Sequence, residues 1–213
     1  MYIIDKHEYN VKKVLELGTD LRSDICGMAM DEKNIYACIR NGTITVIDIK
    51  EMHIKGIFHI SNRSFWDIHV FNDYLVGGNV NGELVLIDKR SMKIKESLIL
   101  NNKNIHNIVI DNNLIYAAGQ NKTIYIVDAN KLNCINKKRN IHRKMFNCAG
   151  IYEKELITIS YPCSEISFWN KETLEHRKTI NIPLKLFGTT YIEKNKLYIS
   201  SKNIMGIIVC ILD

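Results

Sequence analysis

The sequence has little proline and no apolar segment long enough to cross a membrane. Only two prolines, Pro162 and Pro183, occur among 213 residues, which excludes a proline-rich linker. No apolar run approaches the roughly 18 residues that a membrane span requires. The first residues also lack the basic segment and following apolar segment of a signal peptide. Because 46% of the residues are hydrophobic, the composition predicts a globular chain rather than a disordered one.

Disulfide patterns and catalytic motifs are missing as well. The six cysteines form no C-x-x-C pair and indicate no pairing scheme. Together with the missing signal peptide, this distribution predicts free thiols in a cytoplasmic or nuclear protein. The sequence contains no Gly-x-Ser-x-Gly elbow, no His-Glu-x-x-His and no glycine loop that would hold a phosphate. Its seven histidines have no metal-ligand spacing. We therefore expect no enzyme activity, no metal and no cofactor.

A short phrase recurs along the chain. It consists of Asn-Gly, an apolar run and an aspartate, and it spans residues 41–48 and 81–88, with Asn-Lys replacing Asn-Gly in residues 121–128. Weaker copies occupy residues 165–170 and 206–211, so the spacing is 40 to 42 residues. An Asn-Gly pair tolerates positive φ at both turn positions and predicts a hairpin turn. We interpret these pairs as turns, and the aspartates as caps of the following turn, rather than as binding motifs. The aspartates are Asp48, Asp88 and Asp128.

Each unit divides into four short strands, and no helical period of 3.6 residues is present. Units of this length predict an all-β fold, a β-propeller of four-stranded antiparallel blades with about five blades in this chain. We expect one domain over residues 1–213, either a closed five-bladed ring or part of a larger or incomplete propeller. The repeats cover residues 24–60, 65–100, 105–140, 145–182 and 186–213. Residues 1–17 would supply the third and fourth strands of a shared or preceding blade. In the closed form, residues 13–17 would pair beside residues 206–212.

The pattern resembles the WD-repeat family, in which the third strand ends in Trp-Asp and the first strand follows Gly-His. The aspartates of the recurring phrase match the Asp half of the first motif, and Trp169-Asn170 is nearest to the full dipeptide. The Gly-His pair is absent from every unit. The resemblance therefore implies a scaffold for protein–protein interaction in which the hydrogen-bonded tetrad that often pins such blades is mostly missing.

A ring of candidate partner-binding residues follows from aligning the units. One position of the first strand holds Cys26, Trp66, His106, Phe146 and Phe187. In WD-like propellers this position lies near the top rim of the central channel, where partners dock. The second strands end nearby and contribute Arg40, Asn79, Gln120 and Tyr161. Aromatic side chains and Arg are enriched at interface hot spots, and Trp66 is the strongest candidate. Alternatively, these aromatic side chains plug the channel and contact no partner.

A basic stretch supports a second hypothesis. The chain carries a net charge of +6, and residues 137–144 concentrate Lys137, Lys138, Arg139, Arg143 and Lys144. Such a stretch favours phosphate groups of RNA, DNA or an anionic lipid. Alternatively, it is a solvated segment that protects an edge strand from aggregation. We rank a non-catalytic protein-interaction scaffold first, an RNA- or phosphate-binding propeller second, and an enzyme with an axial site third. If the ring is incomplete, a strand from another chain would complete its edge.

Overall fold

The computed structural model describes residues 1–4, 8, 11–15, 17, 24–160, 164–183, 185–201 and 206–212, and of residues 2–4 and 186–189 the backbone only. These residues form strands and turns, without a helix among them. An N-terminal hairpin consists of β1 (Tyr2–Ile4) and β2 (Val11–Val14). Five antiparallel sheets follow in chain order, and we call them blades 1 to 5.

Blade 1 contains β3 (Ile25–Met30), β4 (Asn34–Ile39), β5 (Thr43–Asp48) and β6 (Ile54–His59). Blade 2 contains β7 (Phe65–Phe71), β8 (Tyr74–Asn79), β9 (Glu83–Asp88) and β10 (Lys93–Ile99). Blade 3 contains β11 (Ile105–Asp111), β12 (Leu114–Gly119), β13 (Thr123–Asp128) and β14 (Asn133–Arg139). Blade 4 contains β15 (Phe146–Tyr152), β16 (Glu155–Ser160), β17 (Glu165–Asn170) and β18 (His176–Asn181). Blade 5 contains β19 (Leu186–Glu193), β20 (Lys196–Ser201) and β21 (Gly206–Ile211). Neighbouring strands in the chain are neighbours in each sheet, so the predicted all-β fold with four-stranded antiparallel blades is confirmed for blades 1 to 4, and blade 5 has three strands.

The N-terminal segment forms a hairpin. Among the described residues, β2 pairs with β1 in the register Tyr2↔Val14, and β21 pairs with β20. The prediction that residues 13–17 pair beside residues 206–212 stays a prediction. The two N-terminal strands pair with each other as a hairpin. Leu15 and Leu17 then bury their side chains against blade 1.

The Asn-Gly turns have positive φ at the glycine, as predicted, but not at the asparagine. Gly42 and Gly82 have φ of 83° and 81°, whereas the preceding asparagines do not have positive φ. The turn therefore needs the left-handed conformation at its second position only. A Cβ on Gly42 would lie 1.8 Å from the carbonyl oxygen of Ser61, so the close passage of the chain also requires glycine. Asn41 contributes differently, because its Oδ1 accepts a hydrogen bond from the amide of Thr43 at 3.1 Å.

The role of the aspartates as turn caps is confirmed. Asp88 Oδ1 accepts the amide of Ser91 at 2.7 Å, and Asp128 Oδ1 accepts the amide of Lys131 at 3.1 Å. Asn170 does the same for Thr173 at 2.9 Å in the blade where asparagine replaces aspartate. These side chains are committed to backbone hydrogen bonds, which explains why the repeat keeps an Asx residue at this position.

The chain divides into two compact units, and the first comprises Met1–Val80 with Leu84–Ser97. In this unit an apolar cluster lies on each of the two faces of blade 1. One face, with Ala37, Ile39 and Ile47, packs against Leu15 and Leu17. The other face packs against blade 2, and this cluster contains Tyr36, Cys38, Ile44, Val46, Phe65, Ile68, Leu75, Val85, Ile87 and Met92. Alternate residues of one strand therefore enter different cores, as the strand period of two requires.

The second unit comprises Asn81–Glu83 with Leu98–Asp213, and blade 4 lies in its middle. One face of blade 4 packs against blade 3, in a cluster that contains Tyr116, Ala118, Ile124, Ile126, Phe146, Cys148, Leu156 and Trp169. The other face packs against blade 5, in a cluster that contains Ala149, Ile157, Ile159, Ile166, Phe168, Leu197, Ile199 and Leu212. Because both faces are covered, most residues of the two middle strands of blade 4 are buried.

Ion pairs connect neighbouring blades within each unit. Lys89 Nζ lies 3.0 Å from Asp31 Oδ2 in the first unit, and Lys171 Nζ lies 2.7 Å from Asp111 Oδ2 in the second. Partial burial alone would raise the pKa of Asp31. Hydrogen bonds from the amides of Lys33 and Asn34, from Lys89 and from the Tyr36 hydroxyl outweigh this effect and lower the pKa to about 2.

The low pKa of Asp31 predicts an acid-sensitive contribution to stability. A carboxylate with a depressed pKa stabilises the fold above its unfolded pKa of about 3.9, and this contribution is lost as the pH falls through the folded value. We expect Asp31→Asn to lower the free energy of unfolding at neutral pH by about 1–2 kcal/mol. The difference from wild type should disappear between about pH 4 and pH 2 in urea denaturation. The exposed Glu51→Gln serves as control, and a pH-independent difference for Asp31→Asn would contradict the account.

Candidate functional site

Three candidate rim residues occupy the same irregularity of the sheet. The first strands of blades 1, 2 and 3 each shift register one residue after they begin, and the residues left out of the pairing are Cys26, Trp66 and His106. A β-bulge of this kind re-aims a side chain away from the regular ladder. The predicted alignment of these three positions is therefore confirmed by the backbone geometry.

Phe146 belongs to a different position from the one predicted. In β15 the first pair is Phe146↔Ser160, which corresponds to Phe65↔Asn79 in blade 2. Phe65 and Phe146 are both fully buried, so Phe146 supports the blades from inside and offers no surface to a partner. The misalignment arose because the first strands of blades 3 and 4 are separated by 41 residues rather than 40. Asn147, which follows Phe146, pairs with Ile159, so the irregularity of the first strand of blade 4 falls at Ala149 instead.

The remaining predicted rim residues divide by exposure. Asn79 is only 1% exposed, so it belongs to the interior of blade 2. Gln120 and Arg40 are exposed. Tyr161 and the side chain of Phe187 lie outside the described residues.

In the first unit, Arg40 lies over Trp66. The guanidinium carbon of Arg40 is 5.6 Å from the centroid of the Trp66 ring, which is the geometry of a cation–π contact. Arg40 Nε also lies 3.4 Å from Asp24 Oδ2, and the Arg40 side chain remains 49% exposed. The backbone holds the pair in place, because the amide of Arg40 donates to the Asp24 carbonyl and the Ser64 hydroxyl donates to the Arg40 carbonyl. We call Asp24, Arg40 and Trp66 the Arg–Trp surface.

The indole N–H of Trp66 and the neighbouring thiol of Cys26 are the two polar groups that describe the chemistry of this surface. The indole N–H of Trp66 is buried and has no hydrogen-bond acceptor among the described residues. Burial raises the pKa of the neighbouring Cys26 thiol, although Arg40 opposes the shift. The thiol is therefore protonated at neutral pH, which makes it a poor nucleophile. The groups of this surface that suit non-covalent contacts are therefore the Arg40 guanidinium and the Trp66 ring.

His106, in the second unit, connects two blades. Its Nε2 donates to the carbonyl oxygen of Phe146 at 2.6 Å, which places the proton on that nitrogen. The next residue repeats the connection, since Asn107 Oδ1 accepts the amide of Cys148 at 2.7 Å. Both bonds run from blade 3 to the first strand of blade 4. The geometry thus gives His106 a role in holding the blades together.

Blade 4 contains a buried polar network. Trp169 Nε1 donates to Thr158 Oγ1 at 2.8 Å, and Thr158 Oγ1 lies 2.8 Å from Nε2 of His142. The other nitrogen of His142, Nδ1, lies 3.2 Å from Glu165 Oε2. Burial lowers the pKa of His142, and the neutral ring can accept from Thr158 while donating to Glu165. The four side chains therefore join the loop before β15 to the two middle strands.

The sequence contained a signal for this network. Thr158 stands in the second strand where blades 1, 2 and 3 have Ala37, Gly77 and Ala117, so a hydroxyl replaces a small side chain. Trp169 is the last residue but one of the third strand, where those blades have isoleucine or valine. The Gly-His pair was not informative, because Ile141 precedes the histidine here.

The basic stretch is only partly free for binding. Lys137, Arg139, Arg143 and Lys144 are exposed. Lys138, in contrast, places its Nζ 5.5 Å from the centroid of the Trp169 ring. The fold thus brings an aromatic ring to a run that contains none in sequence. Arg143 also borders a small cavity of about 230 Å³ that His142, Trp169 and His176 line.

Within the described ranges, no group of three or more His, Cys, Asp or Glu side chains is placed to hold a metal ion. Nor does that part of the chain contain a helix of the length and hydropathy needed to span a membrane.

Comparison with protein-family models and with curated protein sequences finds no match. Solved structures, in contrast, match over most of the chain. A chain in the "Crystal Structure of Mitotic Checkpoint Complex" matches with a TM-score of 0.82 and 14% identity, over 98% of this chain and 68% of that one. The WD40 beta propeller domain of Doa1 matches with a TM-score of 0.73 and 13% identity, over 87% of this chain and 62% of that one. The RRP9 WD40 repeats match with a TM-score of 0.79 and 8% identity, over 92% of this chain and 62% of that one.

These comparisons establish the fold. At identities of 8% to 14% they carry no information on individual side chains. The chain spans 62% of the length of two of these structures and 68% of the third. Its solved neighbours are WD40 β-propellers, which agrees with the resemblance in the repeats.

Proposed function

We propose that this chain is a non-catalytic protein–protein interaction scaffold and that a protein partner docks on the Arg–Trp surface of the first unit. The observation that carries the proposal is the half-exposed guanidinium of Arg40 over the ring of Trp66. Trp and Arg are the residue types most enriched among interface hot spots. The ring is partly buried and the bulge fixes its position, so docking would cost little side-chain entropy.

Charge and hydrogen bonding indicate the chemistry of the partner. Asp24 neutralises Arg40 only in part, because the carboxylate is 65% exposed and lies 3.4 Å away. A carboxylate of the partner would replace solvent around the guanidinium, and charge-assisted hydrogen bonds to Arg are among the strongest in proteins. An acceptor from the partner would also satisfy the indole N–H of Trp66 after a small rotation of the ring. We therefore infer a partner segment that presents an acidic side chain beside a backbone carbonyl.

The wider context supports a scaffold in the cytoplasm or nucleus. One structural neighbour is part of a mitotic checkpoint complex, that is, of a multiprotein assembly. The five cysteines in the described ranges are all free thiols, as in proteins of reducing compartments. WD40 propellers are typically interaction scaffolds rather than enzymes, which agrees with the protonated state of Cys26.

Affinity capture from the native cell with quantitative mass spectrometry tests the proposal. We expect Arg40→Ala with Trp66→Ala to lose the specific partner that the wild type captures, because two hot-spot residues are removed. Tyr74→Ala with Lys95→Ala is the matched control. Lys95 Nζ lies 4.3 Å from the centroid of the Tyr74 ring, so these two residues form a second cation–aromatic pair. Both belong to blade 2, and Tyr74 lies at the turn of the β7–β8 hairpin, whereas Trp66 lies at its open end. Retention of every specific partner by the first variant would reject docking on the Arg–Trp surface.

A further inference from the structure

The cavity that Arg143 borders lies on the face of blade 4 that is turned toward blade 3. Strands β17 and β18 supply this face, and Ser167 of β17 is paired with Thr179 of β18. Trp169 is paired in the same way with His176, and it belongs to the apolar cluster that packs against blade 3. The cavity is therefore built by the second unit alone, and it is separate from the Arg–Trp surface of the first unit.

A chain of hydrogen bonds runs along the cavity wall. Thr179 Oγ1 lies 2.8 Å from Ser167 Oγ and 2.8 Å from His176 Nε2. The His176 ring also meets the Trp169 ring edge-on, with the two centroids 4.9 Å apart, so packing holds it in position. Thr179 and His176 are exposed, and a ligand in the cavity can reach them. Hydroxyl and imidazole N–H groups are donors, which an anion can accept.

The charge around the cavity is mainly positive. Arg143 is exposed, and among the described residues no carboxylate or other hydrogen-bond partner engages its side chain. Lys138 adds a second cation, since its Nζ lies 5.5 Å from the centroid of the Trp169 ring. Glu165 is the one carboxylate among the described lining residues, and its Oε2 lies 3.2 Å from Nδ1 of His142. The cations therefore outnumber the carboxylate, and Arg143 has no counter-charge in this part of the chain.

Arg143 differs in this respect from other cations of the fold. Lys171 Nζ lies 2.7 Å from Asp111 Oδ2, and the exposed Lys55 places its Nζ 3.5 Å from Asp48 Oδ2. An arginine without a carboxylate, beside a row of hydroxyl and imidazole groups, favours an anion from outside the chain. The guanidinium group presents its donors as a planar fork, which matches the oxygens of a phosphate group.

The size of the cavity limits the ligand. Its volume is about 230 Å³, which is below the roughly 300–1,000 Å³ of pockets for drug-sized molecules. A water molecule occupies about 30 Å³ in the liquid, so the space suits one phosphate group with a few water molecules. The Trp169 ring is only 5% exposed and gives no stacking platform for a nucleic-acid base.

We propose that this cavity is a binding site for a phosphate monoester group, whose oxygens accept hydrogen bonds from Arg143 and Thr179. A monoester carries a charge of about −1.5 to −2 at pH 7 and three terminal oxygens, so it uses the unpaired guanidinium better than the singly charged diester of a nucleic acid does. Inorganic phosphate and a phosphorylated serine side chain share this chemistry. The site does not depend on the function proposed for the Arg–Trp surface.

Nuclear magnetic resonance of the full chain with ¹⁵N-labelled tryptophan tests the proposal, in a titration with inorganic phosphate at constant ionic strength. The chain has two tryptophans, so the indole of Trp169 reports on the cavity and the indole of Trp66 is an internal control. The Trp169 resonance should shift to saturation while the Trp66 resonance stays in place. A second titration uses a short peptide with one phosphoserine. Tighter binding of the peptide would identify a phosphorylated chain as the source, and equal or weaker binding would identify free phosphate.

Substitutions at exposed positions identify the donors without disturbing the core. Arg143→Gln should weaken phosphate binding at least about tenfold, because charge-assisted hydrogen bonds are lost. Thr179→Val should weaken it about threefold or more, because one neutral donor is lost. Arg139→Gln is the matched control, since Arg139 is exposed in the same basic stretch and is not among the described residues that line the cavity. Its affinity for phosphate should stay within about twofold of wild type.

Three results would overturn the proposal. The first is a Trp169 resonance that does not move to saturation with phosphate. The second is an equal loss for Arg143→Gln and Arg139→Gln, or no loss for Arg143→Gln or Thr179→Val, because binding would then reflect diffuse positive charge. The third is a shift of Trp169 with oligouridylate and none with inorganic phosphate, which would indicate a nucleic-acid surface instead.

Discussion

Replacing Phe146 by alanine should lower the free energy of unfolding by about 3–5 kcal/mol, the range for aromatic residues truncated in a core. The side chain has no exposed surface. Its ring lies 5.5 Å from that of His142 and 6.5 Å, edge-on, from that of His106. Truncation leaves a cavity between blades 3 and 4, because a sheet interface cannot collapse freely around a missing ring.

Guanidinium denaturation of the variant measures this loss, and the same substitution at Phe58 provides the control. Phe58 is 36% exposed in the outer strand of blade 1, so Phe58→Ala should cost no more than about 1 kcal/mol. Equal losses for the two variants would mean that Phe146 is not a core residue. The original expectation, in which Phe146 forms part of a partner-binding rim, would then be restored.

Replacing Thr158 by valine should cost about 2–4 kcal/mol, although the change conserves the shape of the side chain. The hydroxyl is fully buried and joins the indole of Trp169 to the imidazole of His142. Valine removes the partner of both groups at once. Each buried polar group without a partner costs about 1–3 kcal/mol.

Thr45→Val is the matched control for this prediction. Thr45 is also fully buried, but its hydroxyl makes one hydrogen bond, to the carbonyl oxygen of Leu17 at 2.9 Å. Its loss should be about half that of Thr158→Val. Combining Thr158→Val with Trp169→Phe should cost less than the sum of the two single changes, because the indole donor no longer needs a partner. Additive losses, or equal losses for the two threonines, would show that the network in blade 4 does not act as a unit.

Local features of the fold were predictable from the sequence because local chemistry determines them. Alternation of apolar and polar residues, together with Asn-Gly turns, placed the third strand of blade 2 at residues 83–87, and the structure has Glu83–Asp88. The aspartate caps were predictable for the same reason, since each acts on an amide two or three residues later. Positive φ at the first turn position was the exception, because the Asx hydrogen bond of Asn41 holds it instead.

Features that depend on packing between blades were less predictable. The contact of Arg40 with Trp66 joins residues 26 positions apart in different sheets, and no pattern in either strand encodes their distance. The register of Phe146 depends on a single extra residue in the spacing, which shifts a side chain from one environment to the other.

The binding free energy of the partner, measured by calorimetry in a double-mutant cycle over Arg40 and Trp66, tests the central claim most directly. The account predicts that Arg40→Ala and Trp66→Ala each weaken binding at least about tenfold, and that the double variant loses less than the sum because the two side chains act together. Tyr74→Ala with Lys95→Ala should leave the dissociation constant unchanged. A dissociation constant that is the same for wild type and for Arg40→Ala with Trp66→Ala would contradict the claim that this surface holds the partner.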